Sequence, residues 1–238
     1  PTAWDAYWGA TPSWKTVLVG SLGAGGKAVY ALDVTNPDSF VDSSVLWEFT
    51  GTVANDPDMG YILGSVTVAR FSDGNYWAVF GNGINSANGK AVLYMVRVDD
   101  PSQVKTIDVG GAPNNGLSTP VLVDKDGDRI VDQVYAGDMK GNLWKFKFPS
   151  STSQWDVAFK TGSTPKPLFQ AKDSSGNSQP ITAPVEVGLA PSGATGLMVY
   201  FGTGQYFAVG DNTNITTQSM YGIVDEDTSS AAYSGTNH

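Results

Sequence analysis

The sequence predicts an all-β fold, a β-propeller of about four blade-like repeats of four antiparallel strands each. Three observations lead there. Short runs rich in Val, Ile, Tyr, Phe and Trp alternate with clusters of Gly, Asn, Asp and Pro, the pattern of strands and turns. No stretch of helical length repeats its apolar residues every 3.6 positions. The runs also recur in a fixed order at a nearly constant interval, which is the mark of a repeat architecture.

In chain order the strand runs are TVLVG (16–20), AVYALDV (28–34), VLWEF (45–49), SVTVARF (65–71), YWAVFGNG (76–83) and AVLYMVRV (91–98). They continue as PVLVD (120–124), QVYAGD (133–138), NLWKFKF (142–148), PVEVGLA (184–190), LMVYFGTG (197–204) and SMYGIVD (219–225). KTVLVGSLGAGGKAVYALDVTNP (15–37) aligns with NYWAVFGNGINSANGKAVLYMVRVDDP (75–101), and DQVYAGDMKGNLWKFKFP (132–149) fits the same frame. Each second strand closes on a glycine: Gly20, Gly81, Gly137 and Gly202, spaced 61, 56 and 65 residues apart. First strands line up as GSVTVARF (64–71), TPVLVDKD (119–126) and APVEVGLA (183–190). A unit of this length, with about four strands, suits a propeller blade. The expected units are 1–58, 59–116, 117–181 and 182–238. The first unit is expected to lack its innermost strand, which favours an arc of a larger ring over a closed four-bladed one. A large antiparallel sandwich with similar hairpins is the competing architecture.

Composition removes several functions. The net charge is −9, with only 14 Lys and Arg and no basic cluster. Nucleic acid and anionic membrane surfaces both need a basic face, so neither is an expected partner. There is no cysteine, hence no disulfide, thiolate site or cysteine nucleophile. The single histidine is His238, so a histidine-based triad has one terminal candidate and a multi-histidine zinc site is impossible. No apolar run reaches the roughly 18 residues that would span a bilayer.

The strongest chemical signal is DKDGDRIVD (124–132), which links PVLV (120–123) to QVYAG (133–137). Aspartates stand at loop positions 1, 3, 5 and 9. Lys125 and Arg129 hold even positions, pointing away from the odd ones in an extended wrap. Calcium is a hard cation that takes six to eight oxygens, and this spacing can converge on one centre. The expected ligands are side-chain oxygens of Asp124, Asp126 and Asp128, the backbone carbonyl of Ile130 and the carboxylate of Asp132. Gly127 eases the turn between the second and third ligands. The loop is not an EF-hand: positions 6 and 12 are Arg129 and Tyr135, and the flanks are strands. A solvated acidic turn is the plain alternative.

Other features are weaker. NDPDMG (55–60) and VDEDTSS (224–230) read as polar and solvated turns. FGNGINSANGK (80–90) and GTGQY (202–206) lack the helix that a phosphate cradle needs. The seven tryptophans are expected to staple adjacent units, with a carbohydrate platform as the alternative.

The succession GYILGSVTVARF…WAVFGNGINSANGKAVLYMVRVDDP…GLSTPVLVDKDGDRIVDQVYAGDMKGNLWKFKF resembles the C-terminal β-propeller of the PilY1/PilC family of type IV pilus proteins. The resemblance covers roughly residues 15–227 and is most specific at DKDGDRIVDQVYAGDMKGNLWKF (124–146). It implies a calcium site with ligands matching Asp124, Asp126, Asp128, the Ile130 carbonyl and Asp132. It further implies a non-enzymatic, extracytoplasmic module at the pilus tip or bacterial surface. Minor pilins and other tip components are the implied partners, and a host-cell surface a further one. Calcium would set the balance between pilus extension and retraction. The family propeller is described with more blades, in keeping with an arc. No RGD is present, so no integrin contact is implied. Two other readings stay open: a quinoprotein-type propeller dehydrogenase, whose calcium is held by separate blades, and a propeller with a purely structural calcium.

Overall fold

The structure is a computed structural model, and it describes residues 1–53, 56–148, 155–192 and 195–227. His238 lies outside the described residues. Four antiparallel sheets follow one another along the chain. The first is β1(Thr2–Trp8), β2(Ser13–Ser21), β3(Val29–Asp33) and β4(Val45–Phe49); the second is β5(Thr67–Arg70), β6(Tyr76–Gly81), β7(Ala91–Arg97) and β8(Asp100–Gly110). The third is β9(Val121–Val123), β10(Gln133–Gly137), β11(Asn142–Lys147) and β12(Asp156–Val157). A hairpin of β13(Phe159–Thr161) and β14(Thr164–Lys166) follows, and then β15(Phe169–Gln170), which pairs with β11. The fourth sheet is β16(Glu186–Leu189), β17(Leu197–Gly202) and β18(Met220–Asp225). Within each sheet the strands run in sequence order, the meander of a propeller blade.

The first sheet corrects one expectation. Thr2–Trp8 is its first strand, paired in register from Thr2 against Val19 to Trp8 against Ser13. It carries no apolar run because, of its seven residues, only Ala6 is fully buried.

Each seam between consecutive sheets is a separate hydrophobic core. Val17, Val19, Ala31, Trp47 and Phe49 of the first sheet pack against Val68, Ala78, Phe80, Val92 and Tyr94 of the second. The opposite face of the second sheet, with Trp77, Val79, Leu93 and Met95, meets Val134, Ala136, Trp144 and Phe146 of the third. Tyr135 and Leu143, on the far face of the third, meet Val199, Phe201, Tyr221 and Ile223. The patterning follows from this. A sheet buried on both faces gives unbroken apolar strands, as in WAVF and AVLYMV, whereas β17 and β18 alternate because one face is covered.

Several tryptophans do staple seams. Trp47 donates from Nε1 to the Val98 carbonyl across the first seam at 2.9 Å. Trp155 has its ring centroid within 5.2 Å of Phe71, tilted, and of Trp77 and Phe148, edge-to-face, at the second, under the Lys105 ammonium at 4.2 Å. Trp14, in contrast, is exposed.

Two of the recurring glycines, Gly81 and Gly137, mark where the next unit's chain crosses the end of a second strand. A Cβ on Gly81 would stand 2.2 Å from the Ser118 carbonyl oxygen, and one on Gly137 would stand 2.3 Å from Ile181 Cγ2. A Cβ on Gly202 would meet nothing within 4 Å. After Gly137 the chain reverses through Asp138, whose buried carboxylate accepts N–H groups from Asn115, Lys140, Asn142 and Trp144. Asp173 closes an exposed D-x-x-G-N turn with the same set of bonds to Asn177.

The third seam also holds a charge network, which corrects the solvated-turn reading of 224–230 for its described part. Asp225 is buried and pairs with the fully buried Lys145. Its Oδ2 accepts the Tyr135 hydroxyl at 2.5 Å. Asp227 receives Lys147 at 2.6 Å and Lys145 at 2.9 Å. Burial alone would raise the Asp227 carboxyl, but the hydrogen bonds and charge of Lys147 and Lys145 outweigh it and hold it far below the usual carboxylate range. Burial, with the Asp225 carboxylate beside it, pushes the Tyr135 hydroxyl up.

Three outcomes are expected. Gly137→Ala destabilises the chain by about 1–3 kcal/mol through overpacking, and Gly202→Ala stays within about 0.5 kcal/mol; urea unfolding measures both. Lys145→Met strands Asp225 and costs about 3–5 kcal/mol, while the double variant Lys145→Met/Asp225→Leu recovers most of it. Because the Asp227 pKa is depressed on folding, its stabilisation is complete above the unfolded value near ~4 and disappears as pH falls toward the folded one. Stability should therefore rise with pH across the acid range, and Asp227→Asn should flatten that slope in thermal melts.

Candidate metal centre

The nine residues 124–132 join the first and second strands of the third sheet, and both ends are pinned. The Asp132 amide donates to the Val123 carbonyl at 3.0 Å, closing the loop at its base. Val131 is buried, and its amide reaches the Arg70 carbonyl of the second sheet at 3.0 Å. The Asp132 carbonyl in turn accepts from Phe148 at 3.1 Å. The loop thus springs from a fixed frame while Asp124, Asp126 and Asp128 stay in solvent and Asp132 is half-buried.

Inside the loop the aspartates fold the backbone around themselves. Asp124 accepts the amides of Gly127 and Arg129, each at 2.7 Å. Asp126 accepts from the Asp128 amide at 3.2 Å, and Asp128 accepts from the Ile130 amide at 2.8 Å. These bonds curl the chain through two left-handed residues, Gly127 with φ 83° and Arg129 with φ 68°. Gly127 therefore does supply the turn expected of it. Arg129 stands where an EF-hand has its invariant glycine, and it takes the same backbone region at a steric cost.

The result is convergence. One carboxylate oxygen each from Asp124, Asp126 and Asp128 lies within 4.8 Å of the others. Two oxygens on opposite sides of a calcium ion stand at most about 5 Å apart, from ligand distances of about 2.3–2.6 Å. The three oxygens therefore fit one coordination shell. Asp132 is not in this trio; its Oδ2 accepts the Lys125 amide at 2.7 Å at the mouth of the loop. Ile130 is half-buried between them. Lys125 does point outward, as its even position requires. Its ammonium reaches Asp227 of the neighbouring unit at 3.3 Å. Among the described residues no lysine or arginine forms an ion pair with Asp124, Asp126 or Asp128, and the donor set is all oxygen and anionic, which suits a hard divalent ion.

Sequence reasoning missed the buried partners Lys145 and Asp225. The signal available was a lysine in the strand NLWKFK, alternating with large apolar residues at a core position. It also missed an apolar hollow of about 320 Å³, lined by Tyr61, Leu63, Ile84, Leu117, Met139 and Phe207 among others. NDPDMG holds a local cap: buried Asp56 accepts from Thr52, Asp58 and Tyr94.

Comparison with known proteins places this geometry in a family. A family model described as the PilY1 beta-propeller domain matches residues 5–238. A type IV pilus biogenesis factor PilY1 homolog of Xylella fastidiosa is 43% identical over 93% of this chain, which corresponds to 16% of its own length. The type IV pilus biogenesis factor PilY1 of Pseudomonas aeruginosa strain UCBPP-PA14 is 38% identical over 96% of the chain and 21% of its own length. The crystal structure of the Pseudomonas aeruginosa PilY1 C-terminal domain superposes with a TM-score of 0.83 at 38% identity, covering 98% of this chain and 49% of that one. This chain thus spans about a fifth or less of these curated relatives and about half of the solved domain. It belongs to the PilY1 β-propeller family.

Proposed function

We propose that this chain is a non-enzymatic calcium-binding module of a type IV pilus biogenesis protein. In this reading its metal occupancy regulates pilus extension against retraction, and with it surface attachment. The observation that carries the reading is the convergence of Asp124, Asp126 and Asp128 without a balancing cation, on a loop pinned at both ends. The ion would neutralise the carboxylates and cross-link the loop. Asp124, Asp126 and Asp128 would hold it by side-chain oxygens, Ile130 by its backbone carbonyl and Asp132 by the oxygen not engaged by Lys125. All proposed ligands come from one hairpin of one unit, which favours this reading over a quinone enzyme whose calcium is shared between blades.

The proposed setting is extracytoplasmic, at the pilus tip or bacterial surface, with minor pilins or other tip components as partners and a host-cell surface as a further one. Among the described residues no helix is long and apolar enough to cross a membrane. The net charge of −9 argues against nucleic acid.

Calcium titration by calorimetry should give one ion per chain. Asp126→Ala and Asp132→Ala should each weaken binding at least about tenfold, by the scale of losses seen even for outer-shell changes. Absence of binding, or unchanged binding in both variants, would contradict the site. Arg129→Gly should keep binding, since glycine adopts φ 68° freely. Arg129→Val should cost about 1–2 kcal/mol and weaken binding, because a β-branched residue resists that conformation. In bacteria producing the whole protein, Asp126→Ala should change the number of surface pili. Unchanged pilus numbers alongside lost binding would reduce the ion to a structural one.

A further inference from the structure

The loop and the charge network of the third seam meet at one residue. Lys125 is bonded covalently to Asp124 and donates its backbone amide to Asp132 at 2.7 Å, so its main chain adjoins the proposed ligands without being one of them. Its side chain belongs to the seam, where the ammonium stands 3.3 Å from Asp227 Oδ2. Gln133, the first residue after the loop, donates to the same oxygen at 3.3 Å and accepts the Tyr135 hydroxyl at 2.8 Å. The other Asp227 oxygen takes Lys145 and Lys147, and the Asp227 amide donates to Asp225 at 3.0 Å. Asp227 itself sits at φ 57°, in the left-handed region. Two residues of the third unit's loop region are thereby tied to the end of the fourth unit's last strand.

We propose that Lys125 transmits calcium occupancy from the loop to the seam between the third and fourth sheets. The inference rests on the calcium reading above and deepens it. The physical basis is competition for one ammonium group. The ammonium lies on Asp227, but the loop carboxylates of Asp124, Asp126, Asp128 and Asp132 compete for it and weaken that contact. A divalent ion halves the formal charge of the loop, and the competing attraction falls with it. The Lys125–Asp227 contact is then held more of the time, and the seam closes more firmly over β18. The ion also fixes the Lys125 backbone, which lowers the entropic cost of holding that side chain in one place. Lys125 is 42% exposed and Asp227 29%, so the link is a modest one and is screened by salt. A modest link suits a device that biases a population of seam states instead of locking one. Lys125 here is a positioning residue; it is not a ligand.

Hydrogen exchange of the 238-residue chain, with and without calcium chloride, reads the two ends separately. In the wild type, calcium should slow exchange within the loop and also in Met220–Asp225, the latter about two- to fivefold, as a partly exposed ion pair permits. Lys125→Met keeps the side-chain stem and the backbone amide. It should still bind calcium by calorimetry and protect its loop, but calcium should no longer protect 220–225. Lys125→Arg should restore that protection, and about 0.5 M sodium chloride should diminish it in the wild type. Calcium binding without protection of 220–225 in the wild type, or equal protection of it in Lys125→Met, would overturn the inference and leave the calcium site standing. A wild-type chain that binds no calcium would overturn both.

Discussion

A blade in the interior of this fold must bury both faces, and most of the structure follows from that requirement. The second and third sheets each lie between two neighbours, so their central strands carry apolar side chains on both sides, as Trp77 and Val79 on one face of β6 and Ala78 and Phe80 on the other. Close stacking brings the chain of the next unit directly over the end of the second strand in the second and third sheets. At Gly81 and Gly137 that approach leaves no room for a Cβ. The same stacking holds Val131 in the second seam and bonds its amide to Arg70, which fixes one end of the aspartate loop. The aspartate loop is therefore held firmly at its base because the seam beneath it is full.

Electrostatics divides along the same geometry. At the loop, the carboxylates of Asp124, Asp126 and Asp128 stand in solvent and that of Asp132 is half-buried, so repulsion is weakened and an ion has access. At the third seam, Lys145 and Asp225 are out of water, where an unpaired charge would be costly. Tyr135, Gln133 and Asp227 complete the partners around them. The loop belongs to the third unit and the charge network bridges the third and fourth, and Lys125 touches both.

The legible parts of the sequence were those with strong local signals. All twelve apolar runs fall on strands, because central strands buried on both faces cannot be confused with polar turns. The edge strands were harder. Asp100–Gly110 opens with DPSQ and buries only two of its residues, and Thr2–Trp8 buries one, so neither shows a hydrophobic run. The aspartate spacing was readable because its ligand pattern is local: positions 1, 3 and 5 did converge, with Gly127 at the turn. The 224–227 segment misled because acidity alone says nothing of burial. Asp225 is paired with a lysine 80 residues away in sequence, on a strand of the preceding sheet, and only tertiary structure brings the two together.

The central claim is that residues 124–132 form one calcium cage. A crystal structure of the chain grown in calcium tests it most directly. The account predicts an ion about 2.3–2.6 Å from side-chain oxygens of Asp124, Asp126, Asp128 and Asp132 and from the Ile130 carbonyl. An ordered loop that holds only water among these oxygens at millimolar calcium would contradict it.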